Sequence, residues 1–270
     1  MMEMPEVGSW VPEEKHERLR RYLDISRAVR KQFLGSGPGK AGARYIDLFA
    51  GPGQARVRET GNIIDGSPVV AFKITNEKGA PFSEIHIADE NGEAVEECSR
   101  CLAALGATAQ QYIGPAHQTV EQVAAKLNPY ALHFAFLDPF NLDDLPFQVI
   151  ERLAKFNRMD MLIHVSVQDL QRNLSRYIEA PDCPLDTFAP GWRDTIDSRL
   201  PGDSVRRQIL QHWLLLIRKL DNMQPSQGIE LVAGGNNQPL YWLVLVSRHG
   251  KAHEFWDKIR AVGPQQRFEL

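Results

Sequence analysis

The chain has 270 residues, of which 43% are hydrophobic and 24% are charged, and its formal net charge is −3. This composition excludes wholesale disorder, and the charge excludes a generic basic coat for nucleic acid while leaving a local basic groove open. No apolar run reaches the roughly 18 to 20 residues that cross a bilayer, so we expect no membrane partner. The N-terminal residues lack the layout of a signal peptide, so we expect a cytoplasmic protein.

The chain opens with an amphipathic pattern from Val11 to Phe33, which predicts a helix. The polar face of this helix is rich in lysine and arginine, and a solvated helix face is one interpretation of it. The glycine-rich stretch 35–39 ends the helix and serves as a flexible joint. We therefore treat residues 1–43 as an N-terminal helical arm.

Strand-like and helix-like patterns then alternate along the chain. The predicted strands are Arg44–Leu48, Glu84–Ala88, Gln110–Ile113, His133–Leu137 and Met161–Val165, and the predicted helices are a segment capped by Ser67, then Asn91–Leu105, His117–Leu127 and Leu145–Phe156. This alternation predicts right-handed crossovers and a mainly parallel sheet with helices on both faces.

The pattern changes after residue 165. Residues 166–201 show little regular period and are interpreted as an inserted cap or loop, followed by a long helix at Asp203–Leu220. Two further strands, Ile229–Ala233 and Leu240–Val246, are joined by GGNNQP, a link too short for a parallel crossover, so they form an antiparallel hairpin. A last helix covers Ala252–Ala261.

This order of elements predicts an α/β fold with a doubly wound, Rossmann-like sheet. It is similar to the class I methyltransferase sheet, in which the last strand inserts antiparallel between its two neighbours. Residues 44–270 form this predicted domain, with the insert at about 166–201.

The turn after the first strand reads DLFAGPG and covers Asp47, Phe49, Gly51 and Gly53, and a long loop to Gly66 is predicted to follow it. Ligands of doubly wound sheets bind outside the carboxyl ends of the strands, and glycines there let the backbone approach a ligand closely. The turn lacks both the third glycine of a dinucleotide fingerprint and the Gly-Lys-Ser/Thr of a phosphate loop, so phosphate binding is disfavoured. A tight surface turn is the alternative.

The second strand ends in Asp89 and Glu90. A carboxylate at this position can accept hydrogen bonds from both hydroxyls of a ribose. Strand ends often carry exposed acids, so the signal depends on the glycine turn upstream.

The fourth strand delivers Asp138, Pro139 and Phe140 together. The carboxylate can accept hydrogen bonds from an exocyclic amine, and the aromatic ring offers a stacking face for a flat base. The alternative is that Asp138 caps a helix, Pro139 breaks the strand and Phe140 packs in the core.

Two of these segments resemble motifs of S-adenosylmethionine (SAM)-dependent methyltransferases. DLFAGPG is similar to their motif I, and LDPFN at Leu137–Asn141 to their motif IV. The chain also resembles the three-Cys-motif partner protein (TcmP) family, through Trp10 with Glu14-Lys15, YIDLFAGPG at Tyr45–Gly53, GSP at Gly66–Pro68 and FAFLDPFN at Phe134–Asn141.

The resemblance implies a SAM cofactor, held by Asp47, Phe49, Gly51, Gly53, Ser67, Asp89 and Glu90. It places Asp138, Pro139 and Phe140 at the acceptor, expected to be an amino group of a nucleic acid or nucleobase. It also implies a partner protein with a three-cysteine motif of the iron–sulfur type, and DNA or RNA as a further partner. Motif IV has one proline where the amino-methyltransferase pattern has two, so a non-catalytic partner subunit with the same fold stays open.

Metal chemistry on this chain is not expected. Cys98 and Cys101 lie on a predicted helix and Cys183 precedes a proline, a pattern that predicts neither a disulfide framework nor a zinc site. Several basic residues follow the fifth predicted strand, Met161–Val165. They include Arg172 and Arg176 and are interleaved with Trp192 and Trp213. They are interpreted either as a grip for nucleic acid or as a mixed-charge cap.

Overall fold

The computed structural model of the protein describes residues 4–233, 239–261 and 267–268. The strands are β1 Glu6–Val7, β2 Ala43–Asp47, β3 Gln54–Val57, β4 Ile63–Asp65, β5 Glu84–Asp89, β6 Ala109–Ile113, β7 Leu132–Leu137, β8 Met159–Ser166, β9 Gln224–Pro225, β10 Ile229–Ala233, β11 Pro239–Ser247 and β12 Arg267–Phe268. The helices are α1 His16–Ile25, α2 Arg27–Phe33, α3 Ser67–Glu77, α4 Gly92–Ala104, α5 Ala116–Lys126, α6 Phe147–Ala154, α7 Val167–Glu179, α8 Pro184–Phe188, α9 Trp192–Thr195, α10 Gly202–Arg218 and α11 Gly250–Arg260. A π-helical turn, Val11–Lys15, precedes α1.

The main sheet has the strand order β6-β5-β2-β7-β8-β11-β10, with β12 beyond β10 and β9 beside β11. Strands β6, β5, β2, β7 and β8 run parallel, whereas β11 is antiparallel to both β8 and β10. The predicted fold class, including the antiparallel terminal hairpin, is therefore confirmed. Most of the predicted GGNNQP link lies outside the described residues.

Helices cover both faces of the sheet. Side chains of successive strand residues point to opposite faces, so Tyr45 packs into one core and Ile46 into the other. The same alternation sends Phe136 to the first core and Leu137 to the second, and all four side chains are buried. Because both faces are buried, the parallel strands read as nearly continuous apolar runs.

The predicted helix Val11–Phe33 is divided into three segments. The π-helical turn leads into α1, and a break at Ser26 separates α1 from α2. The Ser26 hydroxyl donates to Tyr22 O at 2.7 Å, the carbonyl that also accepts from Ser26 N at 3.1 Å, and such a second bond from a serine hydroxyl often bends a helix. The helix α1 packs against α3 and α11. Part of its basic face is buried, since Arg18 pairs with Glu230.

Three local predictions require correction. The sequence predicts a loop up to Gly66, but β3 and β4 form a small sheet with β1. It predicts little regular structure for residues 166–201, but α7 occupies 13 of these residues and buries Leu170 and Leu174. It assigns Ser67 as a helix cap, whereas the cap position is Gly66 and Ser67 is the first helical residue.

None of the described helices is long and apolar enough to cross a membrane.

Candidate functional site

A cleft of about 970 Å³ opens at the carboxyl ends of the parallel strands. Its floor comes from the turns after β2, β5 and β7. One wall is the N-terminal segment with Trp10 and Lys15, and another is α7 with Arg172 and Arg176. Topology thus brings together turns that are distant in sequence, because parallel strands end at the same edge.

Several predicted site residues line this cleft. They are Phe49, Gly51, Asp89, Glu90, Asp138, Pro139 and Phe140. Asp47, Gly53 and Ser67 do not line it. Asp47 and Ser67 lie beneath the glycine turn, and Gly53 is the part of the turn that faces α4.

Asp47 is fully buried beneath the turn that it begins. Its carboxylate accepts hydrogen bonds from Tyr45 Oη at 3.0 Å, Ser67 Oγ at 2.7 Å and Phe49 N at 3.1 Å. Burial raises the pKa of Asp47 to about 7, although these donors favour the ionised form. Asp47 and Ser67 therefore hold the turn in shape from inside.

The two glycines of the turn differ in their surroundings. Both have positive φ, +54° at Gly51 and +77° at Gly53. A Cβ at Gly51 would meet nothing within 4 Å, whereas a Cβ at Gly53 would lie 3.1 Å from Cys98 Cα. Gly51 therefore leaves space on the cleft side of the turn, and Gly53 allows the turn to pack against α4.

Asp89, the last residue of β5, connects that strand to the glycine turn after β2. Its Oδ2 accepts a hydrogen bond from Gly51 N at 3.0 Å, and its Oδ1 accepts one from Asn91 N at 3.0 Å. Each carboxylate oxygen can accept a further hydrogen bond. Asp89 is thus fixed in direction at the cleft, with acceptor capacity left for the hydroxyls of a ligand.

Asp138 lies at the end of β7, between charged and polar neighbours. Lys15 Nζ is 2.5 Å from its Oδ2, and His164 Nδ1 is 3.3 Å from its Oδ1. Burial raises the pKa of Asp138, but the charge and hydrogen bond of Lys15 act together with the neighbouring His164 and His16, and the pKa falls below the ordinary value. Burial lowers the pKa of His164 to about 4. An ionised carboxylate beside a neutral imidazole therefore faces the cleft near pH 7.

Phe140 is 92% exposed at the mouth of the cleft, so it does not pack in the core. The backbone after it is fixed to α7, because Leu142 N donates to Asp169 Oδ2 at 3.1 Å. Asp169 also accepts from Tyr177 Oη at 3.0 Å and from Asn173 Nδ2. The aromatic ring is thus presented to solvent by a firmly held turn.

Four further lining residues could not be assigned to the site from sequence: Lys15, His164, Trp10 and Tyr241. The Trp10 and Tyr241 rings lie 5.3 Å apart, and Tyr241 lies 4.2 Å from the His164 ring. Tyr241 Oη is buried and has no hydrogen-bond partner among the described residues. Trp10 and Lys15 belonged to the family resemblance, but nothing in the sequence placed them beside Asp138.

Metal ligands are not clustered in the part of the chain that the structure describes, where no group of three or more His, Cys, Asp or Glu side chains could hold an ion. Cys98 and Cys101 have Cys-x-x-Cys spacing on α4, but both are free thiols whose pKa is raised by burial. They pack beneath Gly53 and are not expected to react.

No family model and no curated protein matches the chain. The resemblance to the three-Cys-motif partner family therefore stays a prediction. Among solved structures, LPL1258 from Legionella pneumophila str. Philadelphia 1, a protein of the family model DUF519, superimposes with a TM-score of 0.51. It is 11% identical over 91% of this chain and 91% of its own. At this identity the likeness supports a shared fold alone.

Two more solved structures resemble the chain less closely. Cofactor-bound Rv0187 from MTB has a TM-score of 0.45 and 13% identity, over 86% of this chain and 80% of its own. SMU.1697c, a candidate methyltransferase from Streptococcus mutans in complex with S-adenosylhomocysteine (SAH), has a TM-score of 0.40 and 14% identity, over 91% and 98%. Both TM-scores lie below 0.5, so the fold assignment depends on the strand order.

Proposed function

We propose that the protein is a SAM-dependent methyltransferase whose acceptor is an amino group, with a nucleobase amine as the expected case. The observation that carries the proposal is the meeting of three turns, those after β2, β5 and β7, in one cleft. The open Gly51 and the fixed Asp89 form one side, and Asp138 with Phe140 forms the other.

The residues on the first side fit the cofactor. The space beside Gly51 admits a ligand against the backbone, and Asp89 has free acceptor capacity for ribose hydroxyls. Carboxylates outnumber basic side chains around the cleft. SAM carries a sulfonium and an ammonium, so an acidic lining favours it electrostatically. When bound, SAM supplies the electrophilic methyl group.

The residues on the second side fit an amine acceptor. Asp138 is held ionised by Lys15, so it can accept a hydrogen bond from an acceptor N–H and aim the nitrogen lone pair. The exposed Phe140 ring can stack on a flat base. Catalysis then consists mainly of positioning, since methyl transfer needs no covalent intermediate on the protein.

Methyl transfer from labelled SAM to pools of RNA and DNA tests this proposal. We expect Asp138→Asn to reduce turnover at least 100-fold while the affinity for SAM changes less than several-fold, because Asp138 acts on the acceptor. Asp143→Asn removes a neighbouring cleft carboxylate and serves as the control. Unchanged turnover in Asp138→Asn would rule out the assigned role.

A non-catalytic subunit that binds SAM is the second candidate, and one observation favours it. Lys15 Nζ already occupies Asp138 Oδ2, so the carboxylate has less capacity for an acceptor amine. Such a subunit would work with another protein, for which the family resemblance suggests a three-cysteine-motif partner. Binding of SAM without turnover on any RNA or DNA pool would favour this candidate.

A further inference from the structure

Two arginines of α7 line the same cleft as the exposed Phe140. Arg172 and Arg176 both line the cleft and both are exposed. Residues four apart fall on the same helix face, about 6 Å apart along the axis. Gln168, one turn earlier, lines the cleft as well. This face of α7 is therefore a polar, basic ridge, defined here as Gln168, Arg172 and Arg176.

The guanidinium groups of this ridge are available to a ligand. Among the described residues, no carboxylate lies within ion-pair distance of Arg172 or Arg176. Arg176 instead contacts Tyr177, with its guanidinium 5.4 Å from the ring centroid and hydrogen-bonded to the hydroxyl. Two other arginines after β8 are paired with acids, Arg193 with Asp186 and Arg199 with Asp197. Unpaired guanidiniums fit phosphate oxygens in a fork geometry.

Asp169 fixes the ridge relative to Phe140. It accepts a hydrogen bond from Leu142 N, two residues after Phe140, and it lies on α7 one turn before Asn173. This hydrogen bond thus joins the backbone segment that carries the aromatic ring to the helix that carries the two arginines. A stacking ring beside unpaired guanidiniums is the arrangement that grips single-stranded nucleic acid, through bases and backbone together.

The carboxylates of the cleft reduce the attraction of Arg172 and Arg176 for phosphate, but several of them are already engaged by other groups. Asp138 is paired with Lys15, and Asp169 is engaged by Leu142 N and Tyr177 Oη. Asp144 accepts a hydrogen bond from the backbone of its own turn, at Asn141 N. The remaining acids favour a cationic cofactor and oppose a long phosphate tract. Contact with about two phosphates is what the two guanidiniums can support.

We propose that Arg172 and Arg176 bind backbone phosphates of a single-stranded nucleic acid whose base stacks on Phe140. This inference names the acceptor class of the proposed methyltransferase and rests on that function for its biological meaning. The binding itself does not require the cofactor, so it is measured without SAM.

Fluorescence anisotropy with labelled single-stranded RNA and DNA oligonucleotides over a series of KCl concentrations tests the site. For the full chain carrying Arg172→Gln and Arg176→Gln, we expect weaker binding and a salt slope smaller by about 1.4, the value for two phosphates of a single strand. The control carries Arg207→Gln and Arg218→Gln. These two arginines are exposed on α10 and lie outside the cleft, and their substitution removes the same charge.

Phe140→Ala separates stacking from charge. Loss of one stacked base weakens binding by roughly 5- to 150-fold, and the salt slope stays that of the unaltered protein. RNA and DNA oligonucleotides both offer bases and phosphates, so comparing their affinities shows which of the two nucleic acids the site prefers.

Equal effects of the two arginine pairs, or no binding of either oligonucleotide by the unaltered protein, would overturn the inference. Binding that follows the predicted pattern without methyl transfer would support this site and count against the proposed activity. Methyl transfer to an acceptor other than nucleic acid, with no oligonucleotide binding, would support the methyltransferase activity and count against this site.

Discussion

Lys15 Nζ lies 2.5 Å from Asp138 Oδ2, although the two residues are 123 positions apart. The π-helical turn at Val11–Lys15 delivers the lysine, and the end of β7 delivers the carboxylate. Both side chains are largely buried, with 9% and 16% exposure. The N-terminal segment is therefore part of the cleft, and its ion pair favours the ionised form of Asp138.

Lys15→Met should destabilise the protein by about 3 kcal/mol, because it leaves a buried carboxylate without its counter-ion. We expect the double variant Lys15→Met/Asp138→Asn to recover most of this loss. Urea unfolding of the single and double variants measures the coupling energy. A coupling below about 0.5 kcal/mol would show that the pair behaves like an exposed salt bridge.

The two glycines of the first turn should respond differently to alanine. Gly53→Ala should cost about 2 to 4 kcal/mol, because a Cβ there combines positive φ with a contact 3.1 Å from Cys98 Cα. Gly51→Ala should cost only about 1 kcal/mol, from the positive φ alone, while a Cβ on the cleft side weakens binding of SAM. Urea unfolding and ligand titration of both variants measure these effects. Equal losses of stability would contradict the distinct surroundings of the two positions.

Acid should destabilise the protein through buried neutral histidines. Burial lowers the pKa of His133 to about 4, while an unfolded chain has the ordinary value near 6.5. The unfolded state therefore binds more protons between these values, and stability falls as the pH drops from about 6.5 towards 4. At pH 5 this one residue costs about 2 kcal/mol. The raised pKa of Asp47 acts in the opposite direction.

His133→Gln isolates this contribution. We expect its loss of stability between pH 7 and pH 5 to be about 2 kcal/mol smaller than that of the unaltered protein. His117→Gln, at a half-buried position on α5, is the control. Identical pH dependence for His133→Gln and the unaltered protein would show that His133 is not held neutral.

The parallel strands and their turns could be predicted from sequence because their signals are local. Apolar runs bounded by glycine, proline or acids mark β2, β5 and β7, and their ends carry Asp47, Asp89 and Asp138. What local pattern could not reveal is the direction of each side chain. Asp47 turns inward to Ser67, whereas Asp89 reaches the cleft.

The position of the N-terminal segment at the cleft could not be predicted from the sequence, for a different reason. The pairing of β1 with β3 and the approach of Lys15 to Asp138 are contacts between distant segments, and neither leaves a periodic pattern. The helix α7 was missed although Leu170, Leu174 and Tyr177 have helical spacing. Prolines and the short helices α8 and α9 directly after it obscured that period.

Titration calorimetry of the purified protein with SAM and with SAH most directly tests whether the cleft is a cofactor site. We predict micromolar binding that weakens at least tenfold in Asp89→Ala, because this carboxylate both fixes the Gly51 turn and faces the ligand. Glu96→Ala, at an exposed position on α4, should bind as the unaltered protein does. No heat and no thermal shift with either ligand, or equal binding by Asp89→Ala, would contradict the proposed function.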